Sequence, residues 1–512
     1  MKRTKIGLLS AIIILIEALI IGVLTMLRTK IILDYYGTNI NGVIQLATQL
    51  TAYMLLFESG MTAAYQYNLY KPVIQCDKIK ISQLYGGMSK DFFKISLKMS
   101  ACVVFVSVFY SFILKNRGVS YFEAVSLLSV MGIRIVAPYF FTVPLRTLII
   151  VKERKYVTDI VETIKNIFVL IIEILLIIYS SFSLFIILSI QIIICFFTRY
   201  VYVLIVRKYF GEVMNYEKID RTPSKMTKDI LIHRISGMIN SNTDSVLLSF
   251  FKEMGLNSVT IYSSFSTLIN YPIILVIRLI DGLRASIAIK ILENPRESYF
   301  YFREIYSFSK ICALTVLPVF ISQANSFVSL WIGRQYTIKF IDLILFSIAA
   351  LHQIMIPSIY ATRDALGLYK ESKKFSILQA VTNFIFSLIL IKPFGITGIL
   401  FGTVISDWLI LEPMNIKLIF RLIFKKKFDM YSDYLFFIIT FIISIIICII
   451  CREHILFDLS HWGGFFLNST FVFVLNACFV TLIMWANDSY FRHLIRRFIK
   501  IGGYIKNDNK NN

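Results

Sequence analysis

Ionisable side chains inside long apolar runs are the residues of this sequence that could do chemistry. A charge in hydrocarbon is costly, so by default it faces a bundle interior or a water-filled cavity. Six such residues are cationic or can become so, and are candidate ligands for an anion: Arg28, Lys30, Arg134, Arg278, Arg284 and His352. Three carboxylates could bind a proton or Na⁺, because burial disfavours the charged form of a carboxyl group: Glu17, Asp244 and Asp407.

Arg278 and Arg284 belong to a stripe of charges that recurs every three residues, with Asp281 between them, so the three can pair along one helix face. A guanidinium fork matches phosphate oxygens, so Arg278 could hold a diphosphate in a cavity. Both arginines could equally snorkel to lipid phosphates at the inner interface, and Arg28 and Lys30 could anchor the outer interface in the same way.

An internal repeat relates Arg134 to His352. Residues 142–168 and 360–386 share one pattern: an apolar helix ending at an Arg, then Lys-Glu, then an apolar helix restarting through an Asn at the same spacing. Such repeats show how a fold is built. Arg134 and His352 fall at equivalent depth in the two copies. They are therefore candidates for one cavity, although each could instead bond a carbonyl inside its own bundle.

The composition is that of a polytopic membrane protein. Of 512 residues, 57% are hydrophobic and only 16% are charged, whereas a soluble domain of this size needs far more charged surface. The Lys and Arg residues behind the net charge of +22 lie in short loops between apolar segments. Membrane orientation therefore explains the charge better than nucleic-acid binding.

A bilayer core needs about 20 apolar residues per helix. By this rule the sequence predicts an all-α protein with fourteen spans, at about 6–27, 40–64, 91–114, 120–150, 156–180, 182–206, 230–251, 256–290, 305–330, 338–361, 373–392, 396–424, 431–451 and 465–486. Six helices followed by six similar helices predict two parallel bundles. The predicted domains are bundles at 1–206 and 230–424, a cytoplasmic linker at 207–229, two extra helices at 425–486 and a basic cytoplasmic tail at 487–512.

Loop charges predict the orientation of the chain in the membrane, and sequence motifs bear on whether it is an enzyme. Alternate loops carry most of the Lys and Arg, which predicts that both termini are cytoplasmic. The opposite loops are short, and the sequence has no P-loop, HExxH motif or Ser/His/Asp arrangement, so we expect no enzyme. Gly395, Gly398 and Gly402 space small residues at the start of the twelfth span, which predicts close helix packing.

Four segments carry a family resemblance: DYYGTNINGVIQLATQL, FESGM, ALGLYKESKKFSILQAVTNFIFSLIL and GITGILFGTVISD. They resemble the polysaccharide transporter branch of the multidrug/oligosaccharidyl-lipid/polysaccharide (MOP) flippase superfamily, which contains bacterial O-antigen and capsule repeat-unit flippases. The resemblance covers nearly the whole chain in span order. It implies two six-helix lobes with a cationic cavity lined by spans 1, 2, 7 and 8, which favours Arg28, Lys30, Asp244, Arg278 and Arg284.

From this resemblance we expect a multi-pass transporter of the bacterial cytoplasmic membrane. It would flip an undecaprenyl-diphosphate-linked oligosaccharide by alternating access, for surface polysaccharide synthesis. Expected partners are this substrate, membrane lipids and the glycan polymerase machinery, with no nucleic acid and no cofactor beyond a coupling H⁺ or Na⁺. The alternatives are a cation-coupled multidrug exporter of the same fold and a polytopic glycan polymerase, which usually needs a long outer loop.

Overall fold

A computed structural model describes residues 2–58, 60–115, 117–211, 219–222, 242–251, 254–293, 297–365, 368–424, 431–454 and 459–497. Within them, the side chains of residues 2–16, 57, 279, 281–293, 364, 365, 369, 370 and 431 are not described. All the regular structure in these ranges is helical. Internal contacts divide the chain into two compact units, Met1–Thr260 and Ile261–Asn512.

Ten helices of the described part are long and apolar enough to cross a membrane. They are Lys78–Leu114, Tyr121–Phe141, Leu184–Phe210, Gly255–Arg278, Ser298–Trp331, Phe340–Arg363, Glu371–Phe394, Ile396–Phe424, Ser432–His454 and Trp462–Asn487. The predicted count of fourteen is not confirmed. The span predicted at 6–27 contains residues whose side chains are not described, and the span predicted at 230–251 extends into residues that are not described. The span predicted at 156–180 carries several charged residues.

Eight α-helices precede α9 in the described part of the first unit. They are α1 (Lys2–Ala52), α2 (Met61–Ile74), α3 (Lys78–Leu114), α4 (Tyr121–Phe141), α5 (Val143–Val151), α6 (Lys155–Tyr179), α7 (Leu184–Phe210) and α8 (242–250). The first two predicted spans begin within one helix, α1, which is interrupted at Gly37 with φ 80° and ψ 176°. Glycine permits this break because it lacks the Cβ that disfavours positive φ.

Two predicted spans of the first unit are divided rather than continuous. The span predicted at 40–64 leaves α1 at Ala52, passes through a short 3₁₀ turn, and restarts as α2 after Gly60, whose φ is 78°. The span predicted at 120–150 breaks at Thr142 into α4 and α5. Pro144 lies in the first turn of α5, where its missing N–H leaves no hydrogen bond unmade.

Helix α8 packs within the first unit. Thr243 on α8 shares a hydrogen bond of 2.9 Å with Tyr53, and Ser249 shares one of 2.5 Å with Tyr110 on α3. The boundary between the two compact units therefore lies after α8 in the chain. The division predicted at residues 207–229, a polar and charged connection, stays a prediction.

The second unit contains most of α9 (Gly255–Glu293) and the helices that follow it. These are α10 (Ser298–Trp331), α11 (Phe340–Ala365), α12 (Tyr369–Phe394), α13 (Ile396–Ile405), a π-helical segment Ser406–Leu411, α14 (Glu412–Ile419), a π-helical segment Phe420–Phe424, α15 (Tyr431–His454), α16 (Trp462–Asn487) and α17 (489–497). The π-helical segments interrupt what the sequence predicts as one span, 396–424.

The extra carboxyl-terminal helices pack against α10. Gln323 on α10 donates to Asn468 on α16 over 2.9 Å, and Asn476 donates to the Leu314 carbonyl over 2.9 Å. Lys310 on α10 forms a buried ion pair of 2.9 Å with Asp488, which follows α16 directly. The predicted two-helix extension is thus part of the second unit's polar and apolar packing.

Gly398 and Gly402 confirm the predicted close approach of helices. A Cβ on Gly398 would overlap the carbonyl oxygen of Leu390 on α12, and one on Gly402 would overlap Ser387 of the same helix. Gly395, with φ 62°, lies between the two helices and lets the chain turn.

We expect Gly398→Val to lower the melting temperature of the purified protein in detergent. The clash is with backbone, which cannot rotate away, so overpacking should cost about 1–3 kcal/mol. Gly463→Val is the matched control, since a Cβ at Gly463 on α16 meets nothing within 4 Å. Equal melting temperatures for the two variants would contradict the packing role.

Candidate functional site

Two arginines and one glutamate meet inside the first unit. Arg28 Nε lies 2.9 Å from Glu173 Oε2, and Arg134 Nη2 lies 2.9 Å from Glu173 Oε1. The three residues come from α1, α4 and α6, and Glu173 is completely buried. The contacts are ion pairs by distance but lack the angles of hydrogen bonds. We call Arg28, Arg134 and Glu173 the arginine cluster.

The arginine cluster holds one more positive than negative charge. Arg134 also donates through Nε to Gln191 on α7 over 2.5 Å. Its Nη1 atom is buried and has no hydrogen-bond partner among the described residues. A guanidinium offers five N–H donors and no acceptor, so the cluster can take a further anionic or carbonyl oxygen at this atom.

A second polar cluster lies in the second unit around His352 on α11. Its Nδ1 lies 3.3 Å from Asp407 Oδ2, and Gln379 on α12 donates to the other oxygen of Asp407. Burial leaves His352 3% exposed and Asp407 2% exposed. The Nε2 atom of His352 is buried without a hydrogen-bond partner in the described part of the chain.

Glu412 completes this cluster through the π-helical segment. Its backbone N–H donates to the carbonyl of Asp407, five residues earlier, which is the π-helical pattern. Residues five apart therefore share one face here, whereas an α-helix would turn them apart. The Glu412 carboxylate accepts from Tyr434 over 3.1 Å and Tyr306 over 3.4 Å. We call His352, Gln379, Asp407 and Glu412 the histidine cluster.

The histidine cluster is suited to holding a proton. One imidazole and two carboxylates are shielded from water, so a proton shared among them neutralises charge that would otherwise be costly to bury. Within the described ranges, no group of three His, Cys, Asp or Glu side chains is arranged to hold a metal ion.

Four other candidate residues lie outside both clusters. Lys30 and Glu17 are partly buried on α1, and Arg278 is exposed on α9. Asp244 is buried on α8, beside the Thr243–Tyr53 hydrogen bond. The side chain of Arg284 lies outside the described residues.

Sequence reasoning makes Arg28, Arg134, His352 and Asp407 candidate site residues. It recognises Glu173 as an ionisable residue deep in a predicted span but gives it no role, and it does not point to Gln379 or Glu412. Glu173 does carry a signal, since it is an isolated carboxylate in the apolar run FVLIIEILLII. Glu412 carries little signal in the sequence, because an uninterrupted α-helix would turn its side chain away from that of Asp407. The π-helical segment that brings them together has no pattern in the sequence.

No family model matches the sequence, and no curated protein matches it. Solved structures do match. MurJ, titled a lipid II flippase in an inward closed conformation, aligns with a TM-score of 0.70 and 15% identity over 92% of this chain and 98% of MurJ. An inward-facing multidrug resistance MATE family transporter of the MOP superfamily aligns with a TM-score of 0.61 and 12% identity over 80% of this chain and 98% of the transporter.

The chain has the fold of MurJ and the MATE transporters. A second MATE structure, in a bent conformation, aligns with a TM-score of 0.52 and 12% identity over 81% of this chain and 95% of that one. Identities this low show the fold alone. With ten apolar helices in the MurJ and MATE fold, the chain is a multi-pass helical membrane protein. Its place in the polysaccharide branch, the inner membrane and the cytoplasmic termini stay predictions.

Proposed function

We propose that this protein flips a polyprenyl-diphosphate-linked oligosaccharide across the bacterial cytoplasmic membrane by alternating access. The substrate expected from the sequence is an undecaprenyl-diphosphate-linked repeat unit for O-antigen, capsule or exopolysaccharide, passed on to glycan polymerase machinery. In support, the chain shares its fold over 92% of its length with a protein titled a lipid II flippase.

The arginine cluster is the observation that carries the proposal. It places excess positive charge inside an apolar bundle, together with a guanidinium nitrogen of Arg134 that has no hydrogen-bond partner among the described residues. A diphosphate supplies what this arrangement lacks, namely negative charge and acceptor oxygens in fork geometry. In this proposal the diphosphate shares Arg28 and Arg134 with Glu173 during passage, and the carboxylate holds both arginines when no substrate is bound.

The histidine cluster supplies the coupling step of the proposal. Binding and release of a proton at His352, Asp407 and Glu412 would change the charge buried in the second unit. A ligand can shift a conformational equilibrium only through different affinities for its two states. We propose that H⁺ is the ligand that shifts the conformational equilibrium of this protein. Na⁺ is the alternative coupling ion and is tested separately.

The test is transport by the purified full chain in liposomes. A fluorescent polyprenyl-diphosphate-linked disaccharide should be flipped faster than in empty liposomes, and Arg134→Gln should slow it about 10- to 100-fold, as expected for losing a charge-assisted contact. Arg207→Gln, at an exposed position near the end of α7, is the control. Flipping no faster than in empty liposomes, or an Arg134→Gln variant as fast as the control, would overturn the proposal.

A multidrug exporter is the second candidate, because the MATE likeness at a TM-score of 0.61 is also extensive. In the same liposomes a fluorescent amphipathic cation replaces the lipid. Proton-driven movement of the cation without flipping of the lipid would favour this candidate. The arginine cluster argues against it, since excess buried positive charge repels a cation.

A further inference from the structure

A cavity of about 540 Å³ lies in the first unit, and none of the three residues of the arginine cluster lines it. It is bounded by the amino-terminal half of α3, the carboxyl end of α4, the start of α5, and α7, with residues 219–222 closing one side. Four cationic side chains line it: Lys90, Lys94, Arg199 and Arg221. Among the residues that the structure describes, no carboxylate lines it.

Three of these four cations are not neutralised by the described chain. Arg221 lies 2.5 Å from Asp91, which also accepts from Tyr65 over 2.7 Å. Lys90, Lys94 and Arg199 make no ion pair with any residue that the structure describes. All three are exposed, so their charge is available to a ligand in the cavity.

The side of the cavity that carries Arg221 is fixed in place. The Asp220 N–H donates to the Gln83 carbonyl over 3.0 Å, and Lys80 Nζ pairs with the Asp220 carboxylate over 2.8 Å. The hydrogen bond from Lys80 lowers the pKa of Asp220 to about 2, so this pair is charged at neutral pH. Gly87 permits the contact, because a Cβ there would overlap the Asp220 carbonyl oxygen.

Aromatic rings form the apolar side of the same cavity. Phe93, Phe140 and Phe141 line it, with Phe93 and Phe140 in edge-to-face contact at 5.6 Å between centroids. Phe93 is 57% exposed, so its ring is open to a further apolar group. The predicted topology places this end of the bundle at the cytoplasmic interface, the level of lipid head groups.

We propose that this cavity binds an anionic glycerophospholipid, with its phosphate on Lys90, Lys94 and Arg199 and an acyl chain against Phe93 and Phe141. Cations beside an apolar aromatic surface match a ligand that is anionic at one end and apolar at the other. A polyprenyl diphosphate has the same two features. We commit to the phospholipid because the cavity is separate from the arginine cluster, and the proposal does not depend on what the protein transports.

The test is lipid binding by the purified full chain in detergent, measured by native mass spectrometry. Phosphatidylglycerol should remain bound and phosphatidylcholine should not. Replacing Lys90, Lys94 and Arg199 together by Gln should weaken phosphatidylglycerol binding about 100-fold, since each cation near a lipid surface contributes to attraction. The matched control replaces three exposed cations away from the cavity by Gln: Lys78, Arg207 and Lys208.

A single-residue variant and a competing lipid provide two further measurements of binding. Arg199→Gln alone, which changes one exposed side chain, should weaken binding about fivefold if the triple variant proves unstable. Undecaprenyl diphosphate is added as a competitor. Equal phosphatidylglycerol binding by the triple variant and its control, equal binding of phosphatidylcholine, or displacement by equimolar undecaprenyl diphosphate would each overturn the phospholipid assignment.

Discussion

Glu173→Gln is expected to leave little folded protein in the membrane. The substitution keeps the shape of the side chain but removes the counter-charge of two guanidinium groups, Arg28 and Arg134. Breaking a buried ion pair on one side leaves an uncompensated charge, at a cost of about 3–5 kcal/mol. That cost is a large fraction of the stability of a typical protein. The measurements are the yield of monodisperse protein and its melting temperature in detergent.

A second substitution in the arginine cluster should restore part of the stability that Glu173→Gln loses. Arg134→Gln combined with Glu173→Gln returns the cluster to a single excess positive charge, so the double variant should melt above Glu173→Gln alone. Such non-additivity is expected for residues in direct contact. Asp34→Asn on α1 is the control, because this carboxylate is exposed. A Glu173→Gln protein as stable as Asp34→Asn would show that the cluster contributes nothing to the fold.

Asp407→Asn is expected to abolish proton-coupled transport while the protein stays folded. Asn matches Asp in size and keeps an oxygen to accept from Gln379, but it cannot bind and release a proton. Flipping in liposomes should fall about 100-fold, the scale of losing a group that moves protons in the working cycle. The remaining rate should no longer vary between pH 5 and pH 8, where an ordinary histidine titrates.

His352→Gln should give the same flat pH profile, since it removes the other half of the pair. The control is Glu453→Gln, an exposed carboxylate near the end of α15. Sodium is distinguished from protons by imposing a Na⁺ gradient at constant pH. A normal rate and pH profile in Asp407→Asn would remove the histidine cluster from the coupling step.

The amino-acid sequence is enough to predict the class of protein and several local features of its helices. Hydropathy and charge show a helical membrane protein, because the bilayer requires long apolar helices with satisfied backbones. The spacing of Gly398 and Gly402 predicts a close helix approach, and the structure confirms it. The internal repeat places Arg134 and His352 at equivalent positions, and each of them lies in a buried polar cluster of its own unit.

Which charged side chains contact one another depends on how the helices pack. From the sequence, Arg28 could be an interface anchor or a cavity cation. Its contact with Glu173 exists because α1 and α6 pack together. Asp407 and Glu412 share a face because a π-helical segment changes the helix period between them. Hydropathy and periodicity are properties of one segment, whereas an ion pair depends on the packing of several helices distant in sequence. The sequence alone therefore predicts a helical membrane protein, but it does not predict which side chains contact one another within the two clusters.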